Sequence, residues 1–130
     1  MKKHLLIVED ESLILFSLVT ALKSDSIQVT TAENGTGALR EIDAFSHYDL
    51  FIIDLSLPDM NGEELLKRIK ANQPLAKFIV LTGRFLNKQA MLNAMESAAE
   101  LEPFYFISKP FDVEEIQEVV FQALFEENIE

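Results

Sequence analysis

Apolar and polar positions along the chain alternate between two rhythms. Unbroken apolar runs at residues 5–8, 50–53, 78–81 and 104–107 predict strands buried on both faces. The β-branched, alternating stretch 27–31 predicts a further strand. Helical spacing separates these runs. Residues 12–24 place Leu13, Phe16 (or Leu15), Val19 and Leu22 at core spacing, and 36–45 form a short amphipathic segment. Residues 63–71 carry Leu65, Leu66 and Ile69 on one side. Residues 88–100 carry Met91, Leu92, Met95 and Ala98-Ala99. The last helix, 113–125, has Ile116, Val119, Val120 and Ala123 as its apolar stripe and Asp112 as its expected N-cap. Asn34-Gly35 and Pro58-Asp59-Met60-Asn61-Gly62 read as turns.

Five β-α units in succession predict a parallel sheet with helices on both faces and right-handed crossovers. The 130 residues suffice for one domain with a real core, and no linker, repeat or low-complexity stretch divides them. The expectation is a single α/β domain over residues 1–130, with no output domain attached.

Composition narrows the function. Apolar residues at 48% and charged residues at 25% suit a globular chain, and no apolar run is long enough for a membrane span. The start Met1-Lys2-Lys3 leads into an apolar stretch too short for a signal peptide. There are no cysteines, so disulfides and thiolate metal sites are excluded, which is compatible with a cytoplasmic protein. The 22 acids against 11 Lys plus Arg, a net charge of −11, argue against direct nucleic-acid binding and favour basic partner surfaces. Part of that excess sits in residues 126–130, read as a solvated helix end.

The predicted strands end in chemistry. Glu9-Asp10 follow the first, Asp54 the third, Thr82 the fourth and Ser108-Lys109-Pro110 the fifth. Parallel α/β sheets place ligands at the carboxyl ends of their strands, so three carboxylates, a hydroxyl and an ammonium are expected in one crevice. Crowded carboxylates repel unless a cation neutralises them, and Mg²⁺ prefers such oxygen ligands. A carboxylate can also attack phosphorus, so Asp54 is the candidate nucleophile, with Lys109 and the Thr82 hydroxyl stabilising the transferred group. Each residue alone has a plainer explanation: Asp10 as a helix cap, Asp54 as a turn former, Thr82 as a loop hydroxyl, Lys109 as surface charge. Their joint occurrence at four strand ends favours the site.

The motifs LLIVEDE, DLFIIDLSLPDMNG, FIVLTG and ISKPF, in this order, resemble a response regulator receiver domain, the CheY-like family of two-component signalling. The resemblance covers residues 5–125 and implies a flavodoxin-like doubly wound sheet of strand order 2-1-3-4-5. It implies that Asp54 accepts a phosphoryl group from a sensor histidine kinase or histidine phosphotransfer protein. Mg²⁺ would be held by Glu9, Asp10, Asp54 and the Ser56 carbonyl. Thr82 and Phe106 would act as the switch, and Lys109 as the ammonium contact. Pro110 would follow a cis peptide bond, and the output would be a change in a protein-binding face.

This chain departs from the family's pattern at several positions. Phe106 brings no hydroxyl to the switch position, and neighbouring Tyr105 should point to the other face of the sheet. Gly83 keeps the approach to Asp54 open. Arg84 and Ser56 sit two residues beyond Thr82 and Asp54, where a side chain can alter water access, and Arg84 is expected either to reach the phosphoryl site or to be solvated. Residues 84–105 lack the usual Gly-Ala turn and run longer, so the helix there is extended or the following loop reshaped. Rival readings are an interaction module that works without phosphorylation, a haloacid-dehalogenase-type phosphatase and a flavin module. The second would need an acid where Ser56 stands, and the third a phosphate-cradling loop.

Overall fold

The computed structural model describes residues 2–45 and 47–126. Glu126 is exposed; the rest of the acidic stretch read as a helix end, 127–130, lies outside the described residues. The elements are β1 (Lys3–Val8), α1 (Ser12–Leu22), β2 (Ile27–Ala32), α2 (Gly35–Ala44), β3 (Leu50–Asp54), α3 (Gly62–Asn72), β4 (Phe78–Thr82), α4 (Lys88–Ala94), a 3₁₀ helix (Glu96–Leu101), β5 (Tyr105–Ser108) and α5 (Val113–Phe125). All strand pairs are parallel, in the order β2-β1-β3-β4-β5. This is the flavodoxin-like topology that the resemblance implied.

Strand alternation divides the core into two layers. Leu6, Val8, Phe51, Ile53, Phe78 and Val80 pack toward α2, α3 and the 3₁₀ helix. Leu5, Ile7, Leu50, Ile52, Ile79 and Leu81 pack toward α1 and α5. The three central strands are buried on both faces, which is why they read as unbroken apolar runs. Tyr105 packs in the second layer and Phe106 in the first, as strand alternation required.

Two expectations are corrected. Leu13 and Phe16 do not face the core: they are 84% and 71% exposed, and α1 instead buries Leu18 and Leu22. Almost every position of SLILFSLVTAL is apolar, so spacing alone could not choose its inner face. Asn34 and Asn61 do not begin tight turns but cap helices, accepting from the N–H groups of Gly37 and Glu63. Asp112 is the N-cap of α5, as expected, though its side chain makes no cap bond.

The fourth helix is not a single run to Glu100. It stops at Ala94, and the 3₁₀ helix follows. Winding with three residues per turn stacks Ala98 above Leu101, and both are buried in the layer that holds α3. The Ser97 hydroxyl donates to Glu63 on α3, and Lys70 Nζ donates to the carbonyls of Leu101 (3.3 Å) and Glu102 (2.8 Å). Lys88 ties the segment to β5: its Nζ donates to Phe104 O at 2.6 Å, pairs with Glu102 at 2.7 Å and lies 4.2 Å from the Phe104 ring centre. The loop was therefore reshaped rather than the helix extended, and the bond before Pro103 is cis.

Candidate functional site

The register of the sheet assembles the site. Glu9 and Asp10 follow β1 directly, Asp54 and Thr82 are the last residues of β3 and β4, and Lys109 follows β5. β3 lies between β1 and β4, with Asp54 level with Leu81, so these strand ends share one edge. Glu9 and Thr82 are fully buried and Asp54 is 2% exposed, whereas Asp10 is exposed. Asp10 is also not a helix cap, since Glu11 occupies the N-cap of α1 and makes no side-chain cap bond.

Lys109 is drawn into this group. Its Nζ donates to Asp54 Oδ2 at 2.9 Å and lies 3.1 Å from Glu9 Oε1, 3.4 Å from Glu9 Oε2 and 3.7 Å from Glu11 Oε1. The Lys109 backbone N–H donates to Thr82 O at 2.8 Å, and the bond to Pro110 is cis, as expected. The other Asp54 oxygen, Oδ1, accepts from the Ser56 N–H at 2.9 Å.

Burial sets the electrostatics. Desolvation pushes the Glu9 carboxyl up to about 7, aided by the neighbouring Asp54 charge and opposed by the Glu11 N–H and Lys109. Burial alone would lower the Lys109 pKa. The hydrogen bond and charge of Asp54, joined by those of Glu9, outweigh it and hold the ammonium above its ordinary value.

One oxygen from each of Glu9, Asp10 and Asp54 lies within 4.8 Å of the others. Glu9 Oε1 is buried and, although close to Lys109, has no hydrogen-bond partner. A cluster of hard oxygen donors with an unsatisfied buried carboxylate oxygen fits Mg²⁺, which takes one or two carboxylates and keeps several waters.

Other expected residues fall around this centre. The Thr82 hydroxyl accepts from the Arg84 N–H at 3.0 Å, and Phe106 is half-buried in the α3 layer. Arg84 is exposed, and its guanidinium stands over the Phe85 ring, 5.3 Å from the centroid. A Cβ at Gly83 would meet Lys109 Cβ only at 3.7 Å, so the approach is open.

Three supporting features were not foreseen. Glu11 contributes its N–H to Glu9 Oε2 at 3.1 Å, a main-chain contact that no side-chain pattern announces. Gly62 lets α3 pass tightly beneath the site, since a Cβ there would lie 2.6 Å from Asp54 O. Asp59 accepts from the Gly35 N–H (2.8 Å), the Thr36 N–H (2.9 Å) and the Thr36 hydroxyl (2.6 Å), which fastens the β3–α3 loop to the start of α2. No local pattern announces that contact across 23 and 24 residues.

Known proteins carry the same organisation. The response regulator receiver domain family matches residues 5–121. Sporulation initiation phosphotransferase F of Bacillus subtilis (strain 168) is 31% identical over 120 residues, covering 92% of both chains. The DNA-binding transcriptional regulator NtrC of Escherichia coli (strain K12) is 33% identical over 118 residues, covering 91% of this chain, which spans only 24% of that regulator. Among solved structures, a CheY-like response regulator receiver domain protein from Methanospirillum hungatei JF-1 is 28% identical, with a TM-score of 0.83 over 97% of this chain and 96% of the other. The BeF3-activated DrrB receiver domain is 25% identical, with a TM-score of 0.78 over 95% and 98%. With its strand order, acidic crevice and matched span in agreement, the chain belongs to the response regulator receiver domain family.

Proposed function

We propose that the chain is a phosphorylation switch in which Asp54 accepts a phosphoryl group from a histidine kinase or histidine phosphotransfer protein. The observation that carries this reading is the buried Asp54 carboxylate, 2.9 Å from Lys109 Nζ inside a cluster of three carboxylates. An Asp54 oxygen forms a bond to phosphorus while the bond from phosphorus to the donor breaks, its electron pair leaving with the donor. Catalysis of such a transfer rests on positioning and charge stabilisation. Glu9, Asp10, Asp54 and the Ser56 carbonyl would hold Mg²⁺, which when bound offsets charge on the phosphoryl oxygens. Lys109 supplies fixed positive charge beside Asp54. The Ser56 N–H orients the carboxylate.

The Thr82 hydroxyl bonds within its own loop, to the Arg84 N–H, and is free to exchange that acceptor role for donation to a phosphoryl oxygen. Its inward turn would draw Phe106 deeper into the layer of α3 and α4. The phosphoryl group shifts the population because only one state gains the Thr82 and Lys109 contacts. The sporulation phosphotransferase is matched over 92% of its own length. The NtrC match, by contrast, spans about a quarter of a longer regulator.

The test is labelling with a small phosphodonor and Mg²⁺. Wild-type protein should be labelled, and Asp54→Asn should lose the label entirely. Undiminished labelling of the variant would remove Asp54 from this role.

A further inference from the structure

α5 turns Ile116, Val120, Ala123 and Leu124 into the sheet, and Gln117 on its flank donates to Ala21 O of α1 at 2.9 Å. On the outward side Glu114, Glu118, Phe121 and Phe125 follow one another at i, i+4, i+7 and i+11, a single stripe along the helix. All four are exposed, Phe121 by 55% and Phe125 by 39%, and the two rings contact each other with centroids 5.1 Å apart. Paired aromatic rings in water are the composition of a contact surface.

The charges along this helix point outward too. From Pro110 to Glu126 the chain has five carboxylates, at Asp112, Glu114, Glu115, Glu118 and Glu126, and no lysine or arginine. Glu114 and Glu115 in the first turn suit the helix dipole. Glu118 does not: it stands at i+4 from Glu114, a like-charge pair that weakens a helix. Glu126 at the C-terminal end opposes the dipole, and the cation that offsets it comes from outside the helix, Lys77 Nζ donating to Ala123 O at 2.8 Å. Along the exposed stripe Glu114 and Glu118 therefore repel each other, a repulsion that cations of a partner relieve. A second copy docked symmetrically here would bring the same carboxylates against themselves, with no cation on the segment to pair them.

We propose that the outward stripe of α5 is the docking surface for a basic amphipathic helix of another protein, with Phe121 and Phe125 entering between its apolar side chains and Glu114 and Glu118 pairing with its Lys or Arg. It adds a partner class to the phosphorylation reading above, on the layer of the sheet opposite Phe106. The chain's acidic balance would also speed encounter with such a partner.

The probe is a fluorescent Leu/Lys amphipathic helical peptide of about five turns, with a Leu/Glu peptide of the same pattern as its control. Anisotropy should show saturable binding of the Leu/Lys peptide and none of the control. The pairs Phe121→Ser with Phe125→Ser and Glu114→Gln with Glu118→Gln should each weaken it about tenfold or more. Amide shifts of the labelled protein should concentrate on α5. Because all four side chains are exposed, circular dichroism should stay unchanged in both variants.

Shifts centred on α1, shifts spread over all acidic surfaces, or variants binding like wild type would overturn the proposal. So would a wild-type dimer in sedimentation that Phe121→Ser disperses. Asp54 labelling is measured on the same samples: normal labelling without peptide binding defeats this surface alone, and peptide binding without labelling defeats the switch reading alone.

Discussion

Glu9 shows at the scale of one residue how burial creates chemistry. The sequence announces an acid after a strand, but its full burial and its bond to the Glu11 N–H emerge only when β1 lies between β2 and β3. With its carboxyl at about 7 when folded against an ordinary 4.5, the folded state holds a proton that the unfolded state has released. Stability of the metal-free protein should therefore be greatest below about 4.5 as far as this group is concerned. It should fall as pH rises toward 7, by roughly 3 kcal/mol at most. Urea unfolding in EDTA at pH 5 and pH 7.5 reads this directly, and Glu9→Gln should flatten the difference. A metal-free wild type as stable at pH 7.5 as at pH 5, with no compensating group removed, would contradict the assignment.

At the scale of elements, some faces were legible and others were not. The central strands could be read because burial on both sides forbids polar positions. The Asn-Gly pairs misled because glycine serves close approach rather than positive φ: Met60 packs where a Gly35 side chain would stand, and no glycine in the described residues has positive φ. The site-side contact of these elements is the Asp59 bond to Gly35 and Thr36. Its carboxyl is held down at about 2 by the Thr36 hydroxyl and the two N–H groups. Asp59→Ala should loosen the loop that presents Ser56 and lower Mg²⁺ affinity as well as Tm. Asp59→Asn, which keeps one of the two acceptor oxygens, should recover only part of both. Calorimetric titration and thermal melts check this, and unchanged Mg²⁺ affinity in Asp59→Ala would confine the contact to stability.

The misjudged face of α1 carries its own prediction. Leu13 and Phe16 are exposed on a helix that starts three residues after Glu9, at the edge of the sheet where the carboxylates gather. An exposed apolar pair beside the site is suited to seating the protein that donates the phosphoryl group. Leu13→Ala with Phe16→Ala should slow phosphotransfer from a histidine donor by about tenfold or more, while labelling by a small phosphodonor stays at the wild-type rate. Equal slowing of both reactions would place the effect in the fold rather than in donor binding.

For the whole molecule, the strand order does what no single motif could. It brings residues 100 positions apart, Glu9 and Lys109, within 3.4 Å, at the price of a buried pocket whose charges do not balance. Three carboxylates face one ammonium there, with Glu11 at its rim, so the folded chain carries an internal repulsion that a divalent cation relieves. The chain's alternating pattern made the β-α succession legible. The 3₁₀ segment was not, because Ala98 and Leu101 are chosen by packing on α3 rather than by a helical period. Relief of the repulsion has a measurable size. A ligand that binds only the folded state stabilises it by about 2.7 kcal/mol when its free concentration is 100 times its Kd. Titrating Mg²⁺ during urea unfolding at pH 7.5 should therefore raise the midpoint progressively without changing the slope. EDTA should reverse the rise, and Asp10→Asn should blunt it by removing an exposed ligand while leaving the buried pair of Glu9 and Asp54 in place. A midpoint indifferent to Mg²⁺ in the wild type would mean that Lys109 alone balances the pocket, and the metal reading would fall.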